Sequence, residues 1–246
     1  MIKKIWSYFQ DRPYPAGTVI GDRYELVKIL GMGSYGITYF CRDQIGGRNC
    51  VVKQLKPSKK KTKQGGQAYE YETTLLQQLD HPSIPKFYQQ FQHGGDYFFS
   101  MEYMEGRNFE DLIFEDQTKY NERESLRIIQ QLLPIVEYLH ENGISHGDIR
   151  IPNVMMDQQQ HMKLIDFGLA REIANESDRD FNALGHFLLF LLYTTYVSDK
   201  KKEASWEEEL TLRPSTRSVI RRLFELDEPY SSLRELSDDL TRAINT

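Results

Sequence analysis

Long apolar runs are missing from this sequence. Nowhere does it hold the roughly 18–20 consecutive apolar residues that a helix needs to cross a bilayer. Cysteine is scarce: Cys41 and Cys50 are the 2 cysteines of 246 residues. They form no disulfide framework and no metal-ligand spacing, so the expectation is a reduced, cytoplasmic setting in which both act as small buried apolar residues. Excess positive charge is absent too. A net charge of -5 argues against nucleic acid as a partner, because phosphate backbones are bound by basic faces. Internal repeats and long low-complexity tracts are also lacking. Residues 1–10 mix Lys3 and Lys4 with Ile2, Ile5, Trp6, Tyr8 and Phe9, without the apolar core and small-residue cleavage site of a secretory signal. They read as a helix or arm on the protein's own surface; the alternative is a weak membrane-surface contact.

What is present is ordinary for a globular protein, with 39% hydrophobic and 27% charged residues. Strand-like alternation runs through Tyr24–Leu30, Ile37–Asp43 and Asn49–Leu55, the last two joined at Gly46-Gly47, a hairpin signal. Lys56–Gly66 reads as a basic solvated loop. Ala68–Leu79 has a helical stripe of Leu75, Leu76 and Leu79. Lys86–Gln92 and Tyr97–Glu102 form another strand pair across Gly94-Gly95-Asp96. Beyond residue 105 the pattern turns helical. Asn121 and Glu124 have the spacing of a capping box, Leu126, Ile129, Leu133 and Val136 line one face, and Gly143 suits the left-handed exit. Short strands at Asn153–Met156 and Met162–Ile165 precede Phe181–Tyr193, which is apolar nearly all round and reads as a buried central helix. Ser198–Leu212 reads as a surface loop and helix start. The expectation is an α+β fold of two lobes with a cleft at their junction: an extension over 1–19, a small β-rich lobe with one helix over 20–104, and a mainly helical lobe over 105–246.

Four motifs carry chemistry. Gly31-Met32-Gly33-Ser34-Tyr35-Gly36 is a G-x-G-x-x-G, a pattern shared by dinucleotide folds and plain turns. Here it lies between two strands rather than between strand and helix, which favours a flap whose backbone amides approach phosphate oxygens. Lys53, in Val51-Val52-Lys53, sits inside an apolar strand, where an ammonium needs an opposite charge unless it snorkels to solvent. Glu72 on the next helix is the natural partner and Glu70 the alternative. In His146-Gly147-Asp148-Ile149-Arg150-Ile151-Pro152-Asn153, Asp148 can accept a proton from an attacking hydroxyl. Arg150 can neutralise a transferring phosphoryl group, and Asn153 can ligate a metal. His146 reads as a packing and hydrogen-bonding residue. Asp166-Phe167-Gly168 ends a strand with a carboxylate suited to Mg²⁺.

In this order and context the four motifs resemble those of the eukaryotic-like (Hanks-type) serine/threonine protein kinases in their short bacterial form. The resemblance runs from about Tyr24 to the C-terminus and implies ATP and Mg²⁺ as cofactors. It implies that Gly31, Met32, Gly33, Ser34 and Gly36 cover the ATP phosphates and that Lys53 holds them while paired to Glu72. Asp148 would be the catalytic base, with Asn153 and Asp166 as the metal ligands. It places Thr38, Val51, Met101, Glu102, Met104 and Met155 around the adenine, with Met101 as gatekeeper, and Asn108 near the ribose. Asp180 would be the central-helix aspartate that anchors the catalytic loop.

The chain also departs from that family. Residues 169–179, 11 in all, separate Gly168 from Asp180, so the usual activation segment and its Ala-Pro-Glu motif are missing. Gly147 stands where a phosphate-receiving arginine is usual, so activity is expected to need no activation-loop phosphorylation. Thr38 and Val51 stand where valine and alanine are usual. His-Gly-Asp is also similar to small-molecule kinases and compact atypical kinases. The expected activity is Mg-ATP phosphoryl transfer to protein serine or threonine hydroxyls. The alternatives are transfer to a small molecule or one dedicated partner, and a nucleotide-binding pseudokinase scaffold.

Overall fold

The computed structural model describes residues 11–173, 177–197 and 204–246. The amphipathic stretch over 1–10 and the Lys200-Lys201-Lys202 run lie outside these. The chain divides into two compact units, the first reaching Met104 and the second starting at Glu105.

The first unit is an antiparallel sheet of six strands: β1 (Val19–Ile20), β2 (Tyr24–Met32), β3 (Gly36–Asp43), β4 (Arg48–Leu55), β5 (Phe87–His93) and β6 (Asp96–Glu102). Their order is β1-β2-β3-β4-β6-β5. Alternation decides which side chains go where. Ile37, Tyr39 and Cys41 of β3, Cys50 and Val52 of β4, and Phe98 of β6 point to one side and join Ile20, Tyr24 and Leu26 in a fully buried cluster. Thr38, Val51, Lys53 and Met101 therefore share the opposite face. The register agrees, setting Thr38 against Lys53 and Val51 against Met101. The β3–β4 turn is closed by Asp43, a buried carboxylate that receives both Nε and Nη2 of Arg23 at 2.7 Å and the amides of Ile45 and Gly46.

Two details differ from the sequence expectation. The stretch Lys56–Gly66 is not a plain loop. It forms a one-turn helix α1 (Pro57–Lys60) and then the start of α2 (Lys63–Gln78). Thr62 caps α2, its side chain accepting from Gly65 N. Gly65 is a packing glycine rather than a loop breaker, since a Cβ there would sit 2.3 Å from Lys59 O. The β-rich unit thus has two helices, and its sheet gains the two-residue β1.

The second unit begins with β7 (Arg107–Asn108) and α3 (Phe109–Phe114), then the long α4 (Glu122–Glu141). Asn121 and Glu124 make the reciprocal capping box of α4, and Gly143 leaves it at φ +72°. Leu126, Ile129, Leu133 and Val136 are all buried. Short strands follow: β8 (Ile144–Ser145), β9 (Val154–Met156), β10 (Met162–Leu164) and β11 (Arg171–Glu172). They form two small sheets, β10-β9-β7 and β11-β8. Helix α5 (Ser177–Tyr193) buries Leu184, Phe187, Leu188, Leu191 and Leu192 but exposes Phe190, so it is a core helix with one open stripe. Helices α6 (Trp206–Glu209), α7 (Pro214–Leu223) and α8 (Leu233–Asn245) complete the unit, α8 packing on α4. No described helix is long and apolar enough to cross a membrane.

Candidate active site

In the first unit the G-x-G-x-x-G forms the turn between β2 and β3. Gly33 N donates to Gly36 O at 3.0 Å. The three glycines answer different demands. At Gly36 a Cβ would press on Lys53 Cε at 3.1 Å and Gln54 O at 3.2 Å, so packing requires glycine. At Gly31 a Cβ would meet nothing within 4 Å, and at Gly33 only Gly36 O at 4.0 Å. Neither has the positive φ that favours glycine. The chain's own packing therefore gives no reason for glycine at 31 and 33. Met32 and Ser34 are exposed on the same turn.

Lys53 projects from the middle of β4, and its Nζ lies 2.6 Å from Glu72 Oε1 on α2. Both side chains are largely out of water, so each charge is compensated where it would otherwise be costly. Glu70 is exposed instead. Lys53 shares its face with Thr38, Val51 and Met101, the latter two 6% and 8% exposed. Glu102 closes β6, its N donating to Lys86 O at 2.8 Å, and Met104 lies beyond the strand's end.

In the second unit Asp148 sits on a loop held from both sides. Asn153 Nδ2 donates to Asp148 Oδ2 at 2.7 Å and to Asp148 O at 2.9 Å, and Arg150 Nε donates to Asp148 Oδ1 at 2.9 Å. His146 is fully buried. Its Nδ1 accepts from Asp148 N at 3.2 Å, and its Nε2 faces Ile165 O at 3.3 Å. A carbonyl can only accept, so the ring is the neutral tautomer with its proton on Nε2. Burial holds its pKa below the ordinary value. Behind the loop Asp180, on α5, is fully buried and accepts from His146 N at 3.0 Å, Gly147 N at 2.9 Å and His140 Nε2 at 2.9 Å. Burial pushes its carboxyl pKa up, but these donors outweigh that and leave it below the ordinary value.

Asp166 follows β10 and is exposed, with φ +64°, a conformation that costs a non-glycine residue about 1–2 kcal/mol. Its Oδ1 accepts from Gly168 N at 3.3 Å. Phe167 is buried edge-on against His146, ring centroids 4.8 Å apart. Ile165 N donates to Asn153 O at 2.9 Å, so Asn153 lies beside the strand that delivers Asp166. Met155 is buried on β9 opposite Asn108. Asn108 also caps α3, its Oδ1 accepting from Asp111 N at 2.7 Å. The oxygen end of its amide is thus committed within the helix cap.

Three features escaped the sequence reading. His140 meets Asp180 across 40 residues of chain, a contact that no local pattern announces. Gly147 has φ +71°, and a Cβ there would lie 2.8 Å from Leu169 O, so the backbone itself disfavours a side chain such as the family's arginine. Lys56 contacts the glycine turn, although the sequence shows it only as the first member of a basic run.

Comparison with known proteins identifies the family. The sequence profile of the protein kinase domain matches residues 24–227. The probable serine/threonine-protein kinase YbdM of Bacillus subtilis (strain 168) is 38% identical over 253 residues, covering 100% of this chain and 98% of that protein. Serine/threonine-protein kinase D of Synechocystis is 35% identical over 162 residues, which are 61% of this chain and 31% of that one. The PknI kinase domain of Mycobacterium tuberculosis has the same fold, with a TM-score of 0.72 at 19% identity, covering 94% of this chain and all of the other. The match over most of its length, with Lys53–Glu72 paired and Asp148 set beside Asn153, makes this chain a member of the protein kinase family.

Proposed function

We propose that the chain transfers the γ-phosphoryl group of ATP, with Mg²⁺, to serine and threonine hydroxyls of protein substrates. The observation that carries the reading is the Asp148 loop. A carboxylate oriented by Asn153 and Arg150 stands on a backbone fixed to the buried Asp180.

The residues fit the two cofactors. Asn153 turns its amide nitrogen to Asp148, which leaves its oxygen without a partner among the described residues. With the exposed Asp166 carboxylate this is the hard oxygen set that Mg²⁺ takes while keeping most of its waters. The space where Cβ atoms would stand at Gly31 and Gly33 suits close approach of phosphate oxygens. Thr38, Val51, Met101, Glu102 and Met104 would take the adenine in this reading. When bound, Mg-ATP supplies the activated phosphoryl group and the metal charge that offsets its oxygens.

The chain's own residues do the rest. Lys53, held by Glu72, offers an ammonium to the phosphates. Asp148 takes the proton of the acceptor hydroxyl, a role worth about 10²–10⁴ in rate. Arg150 keeps a positive charge beside it. The serine/threonine names of the Bacillus and Synechocystis relatives support the hydroxyl class of acceptor. A reducing, cytoplasmic setting suits the free buried thiols of Cys41 and Cys50.

A second reading, transfer to one dedicated partner or to a small molecule, is favoured by the 11 residues between Gly168 and Asp180, which hold no peptide-docking motif. One assay separates the readings. Purified protein is incubated with γ-labelled Mg-ATP, with and without cell extract and generic peptides, beside Lys53→Met and Asp166→Asn. Label on proteins or peptides that both variants lose supports the first reading. Label confined to one partner or metabolite supports the second. Nucleotide binding with no transfer at all overturns both in favour of a scaffold.

A further inference from the structure

The glycine turn is held from outside by a residue that the reaction scheme does not use. Lys56, just past the end of β4, reaches it twice. Its backbone N donates to Tyr35 O at 2.8 Å, and its Nζ donates to Gly33 O at 2.6 Å. The lysine is itself set in a fixed segment. Asp11 accepts from Ser58 N at 2.9 Å and from Ser58 Oγ at 2.7 Å, and Lys59 Nζ lies 5.5 Å from the Tyr35 ring centre. Asp11 lies upstream of the part of the chain that matches the kinase domain, which starts at residue 24.

The ammonium on Gly33 O has a consequence for the next amide. No described peptide bond is cis. In a trans peptide the C=O and N–H point to opposite sides, so a cation that fixes Gly33 O also fixes Ser34 N–H. A positive charge on the oxygen also draws electron density from the amide and makes its N–H a stronger donor. The amides of Ser34 and Tyr35 have no acceptor among the described residues. They are donors prepared for an anion.

We propose that Lys56 is a positioning residue for phosphoryl transfer: its bond to Gly33 O aims and polarises the Ser34 amide toward the nucleotide phosphates. This rests on the ATP reading above. It predicts a loss that depends on the phosphates and not on the base. The Lys56 bond is solvent-exposed and acts on the phosphates only through one amide, so the change expected in affinity is that of one ordinary hydrogen bond, roughly 3–10-fold.

The test is calorimetric binding of Mg-ATP and of adenosine to the full chain, to Lys56→Met and to Lys56→Arg, with melting curves for all three. The expected result is Mg-ATP binding about 3–10-fold weaker in Lys56→Met, with adenosine within about twofold of wild type. Lys56→Arg restores Mg-ATP to within about twofold, since a guanidinium can also donate to a carbonyl. In turnover, KM for ATP rises in Lys56→Met more than kcat falls. Unchanged Mg-ATP binding in a folded Lys56→Met overturns the inference alone. So does an equal loss of Mg-ATP and adenosine, which is the signature of general disorder. Should Lys56→Met not fold, Lys56→Gln is measured in its place against the same outcomes. A wild-type chain that binds no Mg-ATP overturns the ATP reading, and this inference with it.

Discussion

The glycine turn of the first unit and the Asp148 loop of the second both carry charge-handling backbone, but they are built in opposite ways. In the turn Gly31, Met32, Gly33 and Ser34 are exposed, a side chain at 31 or 33 would meet open space, and the hold comes from Lys56 at the edge. In the loop His146 and Asp180 are fully buried, and the backbone amides of 146 and 147 are tied to one carboxylate. Gly147 is walled in by Leu169 O. In the proposed reading the turn is a donor surface for a ligand that arrives and leaves, which needs room. The loop would hold a proton acceptor, which needs a fixed place, and the bonds from His146 N and Gly147 N to the buried Asp180 carboxylate supply it. Removing the anion should therefore break the loop and leave the turn alone.

The largest effect is expected from Asp180→Ala. It leaves the buried amide of His146 and the part-buried Gly147 amide and His140 ring without their acceptor, at a cost of about 3–5 kcal/mol. Urea unfolding should show that loss, and phosphoryl transfer should fall with it. Asp180→Asn keeps one oxygen acceptor but places an NH₂ opposite donors, so it should fall between wild type and alanine. An Asp180→Ala protein with wild-type stability would end the contrast between the two regions.

The same glycine-to-alanine change should then give opposite signatures in the two places. Gly147→Ala forces a Cβ into φ +71° and to within 2.8 Å of a carbonyl oxygen, costing about 1–3 kcal/mol and lowering the melting temperature. Gly33→Ala meets no such barrier. Its stability should hold or rise by up to about 1 kcal/mol, because alanine restricts the unfolded chain, while KM for Mg-ATP rises. A Gly33→Ala protein with wild-type KM would mean that the turn does not face the phosphates.

How much of this could be read beforehand follows the same division. Motifs that are local in sequence were legible. The G-x-G-x-x-G between two strands, Lys53 inside an apolar strand, the capping box of Asn121 and Glu124, and the α+β class all follow from patterns a few residues long. The choice of Glu72 over Glu70 was half legible: the helix period limits the candidates, but only the packing of α2 sets Nζ 2.6 Å from Glu72. What was hidden depended on contacts distant in sequence. Gly65 reads as a loop signal until Lys59 O is seen against it. Gly147 reads as a lost arginine until its backbone angle and Leu169 O show that any side chain there is strained. His140 and Lys56 have no local signature at all.

The smallest effect sharpens the comparison through charge. The first unit also has a buried carboxylate, Asp43, but its partner is a cation. The Arg23 guanidinium holds its pKa down to about 2, from an ordinary 3.8. A carboxyl lowered on folding binds fewer protons in the folded than in the unfolded chain, so stability rises with pH across that window. The contribution is fully present above pH 3.8 and is lost as pH falls toward 2, at no more than about 1.4 kcal/mol per pH unit. Asp180 is lowered too, and acid acts on it in the same direction, but its partners are amides and a histidine. Arg23→Met should therefore separate them. With the Arg23 guanidinium gone, Asp43 keeps its burial, the amides of Ile45 and Gly46 and the half-exposed Arg48 at 3.8 Å, so its pKa climbs back and the acid dependence of the first unit flattens. The dependence that comes from Asp180 stays. Urea titrations between pH 5 and pH 2, read on the wild type and on Arg23→Met, measure the difference. An unchanged acid slope in the variant would mean that Arg23 is not what holds Asp43 ionised.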